Sequence, residues 1–199
     1  LYDKKGQELA RTEHPWTLPR KRTMYVMLSS HTDIGLHESQ YIQRYESVRT
    51  VDIVKKLCDE TQCREENDRY RYTMEGTWFW NNYHKDRGVE AAQAVARDYL
   101  KTGKMGVCCN VAGNHIHTYG LEEMCRSAYE KKRLMESWGL HCDTMSMIDN
   151  NGMPASMIQP YADAGIKNLI FAPNHWNPLP STVWRCDKTR PGYTFNPDA

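Results

Sequence analysis

The sequence predicts an α/β fold built on a parallel sheet. Short apolar segments, suited to buried strands, alternate with longer segments whose apolar residues recur at helical spacing. The strands are predicted at 23–30, 70–74, 105–109, 144–148 and 167–172, and the helices at 39–63, 88–102, 121–138 and 156–164. This order agrees with an open doubly wound sheet and with a closed barrel. No G-x-G-x-x-G motif follows a strand, which argues against a dinucleotide-binding site.

Apolar stripes and glycines define the predicted helices. The first helix carries one apolar stripe, formed by Val48, Val51, Ile53, Val54 and Leu57. A glycine follows each of the other three helices, at the position where a left-handed residue commonly ends a helix. These glycines are Gly103, Gly139 and Gly165.

The chain divides into three regions. Residues 1–22 are polar and contain the basic run Arg20-Lys21-Arg22, which is typical of a solvated arm before the first strand. Residues 23–176 hold the predicted strands and helices and form one partial domain. Residues 177–199 are rich in proline and lack periodicity, so we expect an irregular tail that continues into further sequence.

The composition disfavours several classes of function. The net charge of the 199 residues is +1, so no nucleic-acid partner is expected. No apolar run approaches the roughly 20 residues that cross a bilayer, so no membrane partner is expected either. The seven cysteines are scattered and contain no C-x-x-C pair. This pattern disfavours a zinc site built on cysteines and indicates reduced, mostly buried thiols in a cytoplasmic protein.

Reactive side chains are expected where the strands end, because parallel α/β folds carry their sites at the carboxyl ends of strands. The first predicted strand is followed by His31 and Asp33, whose side chains point the same way in an extended chain. An imidazole and a carboxylate that converge are typical zinc ligands. A polar loop in which Asp33 caps a helix explains this tripeptide equally well.

Aromatic and amide side chains follow two other strands. Trp78 and Trp80 come after the second strand and are candidates for stacking on a sugar ring, although core packing is the commoner role of such a cluster. Asn114 and His115 come after the third strand, followed by His117. This pair of histidines fits a metal site or a substrate contact, and the lack of an acidic residue nearby favours substrate contact.

Two carboxylates and one more tryptophan complete the set. Glu75 ends the second strand and is a candidate acid or base. Asp149 directly follows the fourth strand, where a carboxylate in a parallel α/β fold is more often functional than not. Trp176 follows the fifth strand. Five strand ends that meet at one rim indicate a functional site more strongly than any one of them does.

Four segments, in order, resemble the catalytic domain of glycoside hydrolase family 38, the α-mannosidases, and most closely its bacterial members. His31-Thr32-Asp33-Ile34-Gly35 resembles the H-x-D-x-G element that opens this domain. The run 75–80 resembles the end of its second strand, and 104–114 resembles a strand and small-residue loop before a long helix. The segments 148–152 and 159–166 resemble the Asp-bearing loop and the helix after it. The resemblance covers about residues 23–176.

The resemblance implies a seven-stranded parallel β/α barrel, truncated in this chain, and a zinc-dependent retaining glycosidase that acts on α-linked sugars. It implies that His31, Asp33 and Asp149 bind one zinc ion and that Asp149 is also the nucleophile. It places a fourth ligand and the general acid further along the sequence, so we expect the fragment to be inactive by itself. The unpaired edge of a truncated barrel would favour either association with a second copy as a homo-oligomer or partial disorder of residues 177–199.

The expected partner is a carbohydrate substrate. Trp78, Trp80 and Trp176 are the predicted stacking surfaces, and Asn114 and His115 are the predicted hydrogen-bond partners of its hydroxyl groups. Two other functions remain open. A zinc-dependent carbohydrate deacetylase would use Asp149 as a general base on water. A non-catalytic carbohydrate-binding domain would need no acid.

Overall fold

Helices and parallel strands alternate along most of the chain. The computed structural model describes residues 4–12, 21–113, 115–150, 152–174, 183–186 and 193–196. The helices are α1 Gln40–Thr61, α2 Thr77–Val95, α3 Leu121–Ser127, α4 Tyr129–Trp138 and α5 Ile158–Asp163. The strands are β1 Tyr72–Met74, β2 Met105–Val107, β3 Thr144–Asn150, β4 Asn168–Pro173, β5 Val183–Cys186 and β6 Tyr193–Asn196.

The first four strands pair in the parallel manner that the sequence predicts. β1 pairs with β2, and β3 pairs with β4. Single backbone hydrogen bonds link the neighbours in chain order: Thr73 N donates to Leu28 O at 2.8 Å, and Cys109 N donates to Thr144 O at 2.9 Å. In a β/α barrel, each strand lies beside the strand that precedes or follows it in the chain, and this arrangement is seen here. The seven-stranded barrel itself stays a prediction.

Helix α1 confirms the first predicted helix. The Ser39 hydroxyl accepts a hydrogen bond from Ile42 N at 3.3 Å, which satisfies one of the unpaired donors at the helix start. Val48, Val51 and Val54 are buried on the side that packs against α2. Ile53, which was expected in the same stripe, is largely exposed.

The first predicted strand differs from expectation. The segment 23–30 has no regular strand assignment, and its apolar side chains are exposed; Tyr25 is 90% accessible to solvent. Its backbone nevertheless contacts β1 through Leu28 O. The prediction of a buried strand was wrong. Apolar side chains gain stability when they are buried, but burial also requires another segment that packs over them.

Two of the predicted helices differ from expectation. α2 consists of two helical segments, because Gly88 inside it has the non-helical angles φ +86° and ψ 174°. The second segment matches the helix expected at 88–102 and ends in a π-helical turn over Ala96–Leu100, whereas the first segment, 77–87, was not predicted. The helix expected at 121–138 is divided at Ala128 into α3 and α4. Gly139 ends α4 in the left-handed conformation, as predicted.

The first segment of α2, 77–87, places Trp80 in the core. Its side chain is 1% exposed and meets the ring of Trp138 edge-on, with a centroid separation of 4.9 Å. A side chain this deeply buried has no face available to a sugar ring. The prediction that Trp80 stacks on substrate was therefore wrong, and Trp80 is a packing residue.

The tail contains more regular structure than the sequence predicts. Within 177–199, the backbone of β5 pairs antiparallel with that of β6, with Val183 opposite Asn196 and Cys186 opposite Tyr193. The proline-rich composition concealed these short strands. In the described part of the chain, six cysteines are free thiols and four of them are buried, in agreement with the predicted pattern. The helices that the structure describes include none that is long and apolar enough to cross a membrane.

Gly76 lets the ends of two neighbouring strands approach closely, which gives a first testable prediction. A Cβ atom at this position would lie 2.5 Å from Val111 O and 2.8 Å from Asn110 O, both of them backbone atoms. Gly76→Ala is therefore expected to lower the free energy of unfolding by about 1–3 kcal/mol, as overpacking does. Urea denaturation measures this loss. Gly113→Ala, whose Cβ would have no neighbour closer than 3.6 Å, is the control; equal stability of the two variants would contradict the prediction.

Candidate metal centre

A cavity of about 440 Å³ opens where the segment 23–33 and strands β2, β3 and β4 end. This volume is within the usual range of small-molecule sites. Its polar lining consists of His31, Thr32, Asp33, His115, Asp149, Asn150 and Asn174. Residues that follow four of the five predicted strands therefore line one cavity, and those that directly follow the second strand do not.

Three side chains in this cavity form a compact donor set. Nε2 of His31 lies 3.2 Å from Oδ1 of Asp33 and 3.7 Å from Oδ2 of Asp149. One ligand atom from each residue lies within 4.8 Å of the other two. Ligand atoms around tetrahedral zinc are separated by about 3.4 Å when each bond is ~2.1 Å. The three side chains would therefore fit a zinc ion if the two carboxylates moved slightly closer together. Their role as ligands stays a prediction.

His31 is held from behind by a buried carboxylate. Nδ1 of His31 lies 2.9 Å from Oε1 of Glu75, and the backbone N–H of Thr32 donates to Oε2 at 3.1 Å. Burial by itself would lower the pKa of His31, but the hydrogen bond and the charge of Glu75, with those of Asp33, raise it above the ordinary value. Burial raises the pKa of Glu75, although the hydrogen bond with His31 opposes the shift. Nδ1 of His31 and Oε1 of Glu75 are therefore placed to share one hydrogen bond.

Asp149 has an unusual backbone. Its φ is +55°, the only positive value at a non-glycine residue in the part of the chain that the structure describes. The register of β3 on β4 shifts between Ile148 and Asn150, so a bulge turns Asp149 out of the strand. Strained backbone of this kind clusters at functional sites. Asn174 donates its amide N–H to Oδ1 of Asp149 at 2.5 Å, which leaves Oδ2 on the side of His31.

Asn110 joins the ends of three strands beneath the cavity. Its amide nitrogen donates to Glu75 O at 3.2 Å and to Ala112 O at 2.9 Å, and its amide oxygen accepts from Ser146 N at 2.9 Å. Asn110 is almost fully buried, so these bonds are shielded from competing water. They connect the backbone after β1 to the loop after β2 and to β3, which fixes the loops that carry the site.

The predicted substrate contacts are only partly brought together. His115 lines the cavity. Trp78 is half-buried and lines a smaller neighbouring cavity that shares Thr32 and Gly113 with the first. Trp80 belongs to the core. Asn114 and Trp176 lie outside the described residues.

Sequence reasoning did not predict the contacts that three residues make at the site. Glu75 was considered only as an acid or base, and its contact with His31 joins positions 44 apart in sequence. Asn174 directly follows β4, and this position is the signal that could have identified it. His37 lies near Asp33, with its Nε2 3.3 Å from Oδ2; its spacing of four residues from Asp33 was a further signal.

Comparison with known proteins gives a likeness of fold. No family model matches the sequence, and no curated protein matches it. The structure is similar to an α-mannosidase from Enterococcus faecalis V583, with a TM-score of 0.60 and 16% identity over 72% of this chain and 16% of that chain. A second similar structure is the 4-α-glucanotransferase from Thermococcus litoralis, with a TM-score of 0.48 and 9% identity over 71% of this chain and 21% of that chain. The chain therefore has a fold like that of one part of the α-mannosidase.

Proposed function

We propose that this chain carries the metal site and the nucleophile of a zinc-dependent retaining glycosidase that acts on α-linked sugars in the manner of an α-mannosidase. The observation that carries the proposal is the cluster of His31, Asp33 and Asp149 at the cavity. The α-mannosidase-like fold supports it. The sequence resemblance supports it independently, because it selects the same three residues.

The donor set explains why zinc is the proposed ion. One imidazole and two carboxylates are hard or borderline ligands that suit zinc. The resemblance implies a fourth protein ligand further along the sequence, so a substrate would occupy a fifth position, to which catalytic zinc sites can expand. When bound, the ion would supply charge stabilisation and orientation to hydroxyl groups of the sugar.

Asp149 fits the role of nucleophile. The side chain is 40% exposed, and it faces a cavity large enough for a sugar. Its hydrogen bond from Asn174 fixes the plane of the carboxylate. A carboxylate that is already held in one orientation loses less rotational freedom when it attacks a substrate. In retaining hydrolysis this carboxylate forms a bond to the anomeric carbon while a second carboxyl group, ~5 Å away, protonates the leaving oxygen.

Trapping the intermediate separates the proposal from its alternatives. A 2-deoxy-2-fluoro-α-mannosyl fluoride needs no acid, because fluoride leaves as the sugar becomes esterified to the carboxylate. We expect mass spectrometry of a digest to locate the added sugar on Asp149. An unlabelled protein that removes acetyl groups from an acetylated sugar would be a deacetylase. An unlabelled protein that has neither activity but binds the sugar, in a form that contains the residues further along the sequence, would be a carbohydrate-binding domain.

Metal binding is expected to stabilise the protein. At a free zinc concentration of 100 times Kd, one site that binds only the folded state adds about 2.7 kcal/mol to the free energy of unfolding. Asp33→Ala removes one of three ligands and should abolish most of this gain, as measured by thermal unfolding with and without zinc. Asp163→Ala, which alters an exposed carboxylate bonded to Gln159, should keep it. Equal zinc stabilisation of Asp33→Ala and the wild type would exclude Asp33 as a ligand.

A further inference from the structure

Glu75 is a buried acid whose two oxygens both serve the segment that carries His31. Its side chain is 3% exposed, and a buried carboxylate is costly unless its oxygens are bonded. Oε1 contacts Nδ1 of His31 at 2.9 Å, and Oε2 accepts the backbone N–H of Thr32 at 3.1 Å. The carboxylate thus fixes both the imidazole ring and the backbone next to it.

This contact determines which imidazole nitrogen faces the cluster. With Nδ1 directed at Glu75, the opposite nitrogen, Nε2, is the one beside Asp33 at 3.2 Å and Asp149 at 3.7 Å. A carboxylate that accepts Nδ1–H leaves the Nε2 lone pair free for a metal ion. The alternative tautomer would place a proton on Nε2, where the ion would bind.

The backbone that carries Glu75 is itself held in place. Glu75 O accepts a bond from the amide of Asn110 at 3.2 Å. The next residue, Gly76, lies so close to Val111 O that no Cβ fits, and Thr77 N donates to Asn110 O at 2.7 Å. Because the end of β1 is fixed in this way, the position of the Glu75 carboxylate is set by the core of the domain.

We propose that Glu75 is a positioning residue that fixes the tautomer and the orientation of His31 for a metal ion bound through Nε2. The inference rests on the proposed metal site and adds a residue behind its ligands. Carboxylates that accept the second N–H of a ligating histidine raise its basicity and restrict its rotation, and their loss costs typically 10–100-fold in metal affinity.

Zinc affinity of the 199-residue chain, measured by competition with a chromophoric chelator, tests this. Glu75→Gln keeps the size of the side chain but directs an N–H or a neutral oxygen at Nδ1. We expect Kd for zinc to rise about 10–100-fold. Glu75→Asp keeps the charge but not the reach, and we expect an intermediate Kd. Glu130→Gln is the matched control, since Glu130 is also buried and bonded to Thr77 but does not line the cavity.

A spectroscopic measurement distinguishes positioning from a general structural role. In the zinc-bound wild type, nitrogen-15 chemical shifts should show His31 bound through Nε2 and protonated at Nδ1. This readout needs no variant, so it holds even if Glu75→Gln fails to fold. Coordination through Nδ1 would overturn the inference.

The outcomes separate this inference from the proposed function. Zinc binding that is lost in Asp33→Ala but unchanged in Glu75→Gln would overturn the role of Glu75 and leave the metal site standing. Wild-type protein that binds no zinc would overturn both. Weaker binding in both Glu75→Gln and Glu130→Gln would show a general loss of structure and would also overturn the assignment.

Discussion

Asp149→Asn is expected to lower kcat for an aryl α-mannoside by on the order of 10⁴-fold or more, in a form of the protein that contains this chain and turns the substrate over. Removing the nucleophile of a covalent mechanism has effects of this size, because an amide cannot form the glycosyl ester. The substitution keeps the shape of the side chain, and its amide oxygen can still accept the bond from Asn174.

The control for this experiment lies on the same strand. Asp143 precedes β3 and bonds to Asn168 at the opposite end from the cavity, so Asp143→Asn should leave kcat within about twofold. Zinc content of both variants is measured as well, since Asp149 is also a proposed ligand. A kcat for Asp149→Asn above a tenth of the wild-type value would exclude Asp149 as nucleophile.

Trp80→Ala is expected to have the largest effect on stability. The side chain is 1% exposed and packs against Trp138. Replacing a buried tryptophan by alanine removes about 3–5 kcal/mol, a large part of the ~5–15 kcal/mol that holds a typical domain together. Urea unfolding should therefore show a sharply lowered midpoint or a protein that is unfolded without denaturant.

Trp78→Ala is the matched comparison for the core assignment. Trp78 is only half-buried at the smaller cavity, so its removal should cost much less stability than that of Trp80. A loss below about 1 kcal/mol for Trp80→Ala would show that Trp80 is not a core residue, and would reopen its predicted contact with substrate.

The sequence correctly predicted the helices whose start, end and buried side are marked by residues within the helix or next to it. Ser39 and the valines at 48, 51 and 54 mark one capped, one-sided helix, and α1 follows these marks. Gly139 likewise ends α4. The helical segment 77–87 was missed because 75–80 resembles a strand end, whereas the close approach of Gly76 to Val111 makes this a turn into a helix. The exposure of 23–30 could not be predicted, because it depends on what packs against this segment.

The residues of the candidate site that directly follow predicted strands could be predicted from the sequence. His31, Asp33 and Asp149 each follow a predicted strand, and the structure brings them within ligand distance of one another. The contacts of Glu75 with His31 and of Asn174 with Asp149 depend on distances between segments 44 and 25 residues apart, which no periodicity encodes. The left-handed backbone of Asp149 is likewise invisible in the sequence, since nothing but the bulge in β3 requires it.

Anomalous diffraction at the zinc edge, from crystals of the zinc-loaded protein, tests the central claim most directly. We expect one strong peak within about 2.0–2.2 Å of Nε2 of His31, Oδ1 of Asp33 and Oδ2 of Asp149. The peak should disappear in crystals of Asp33→Ala grown with the same zinc concentration. A peak bound to other residues, such as the exposed thiols of Cys63 or Cys125, with none among these three side chains would contradict the proposed metal centre.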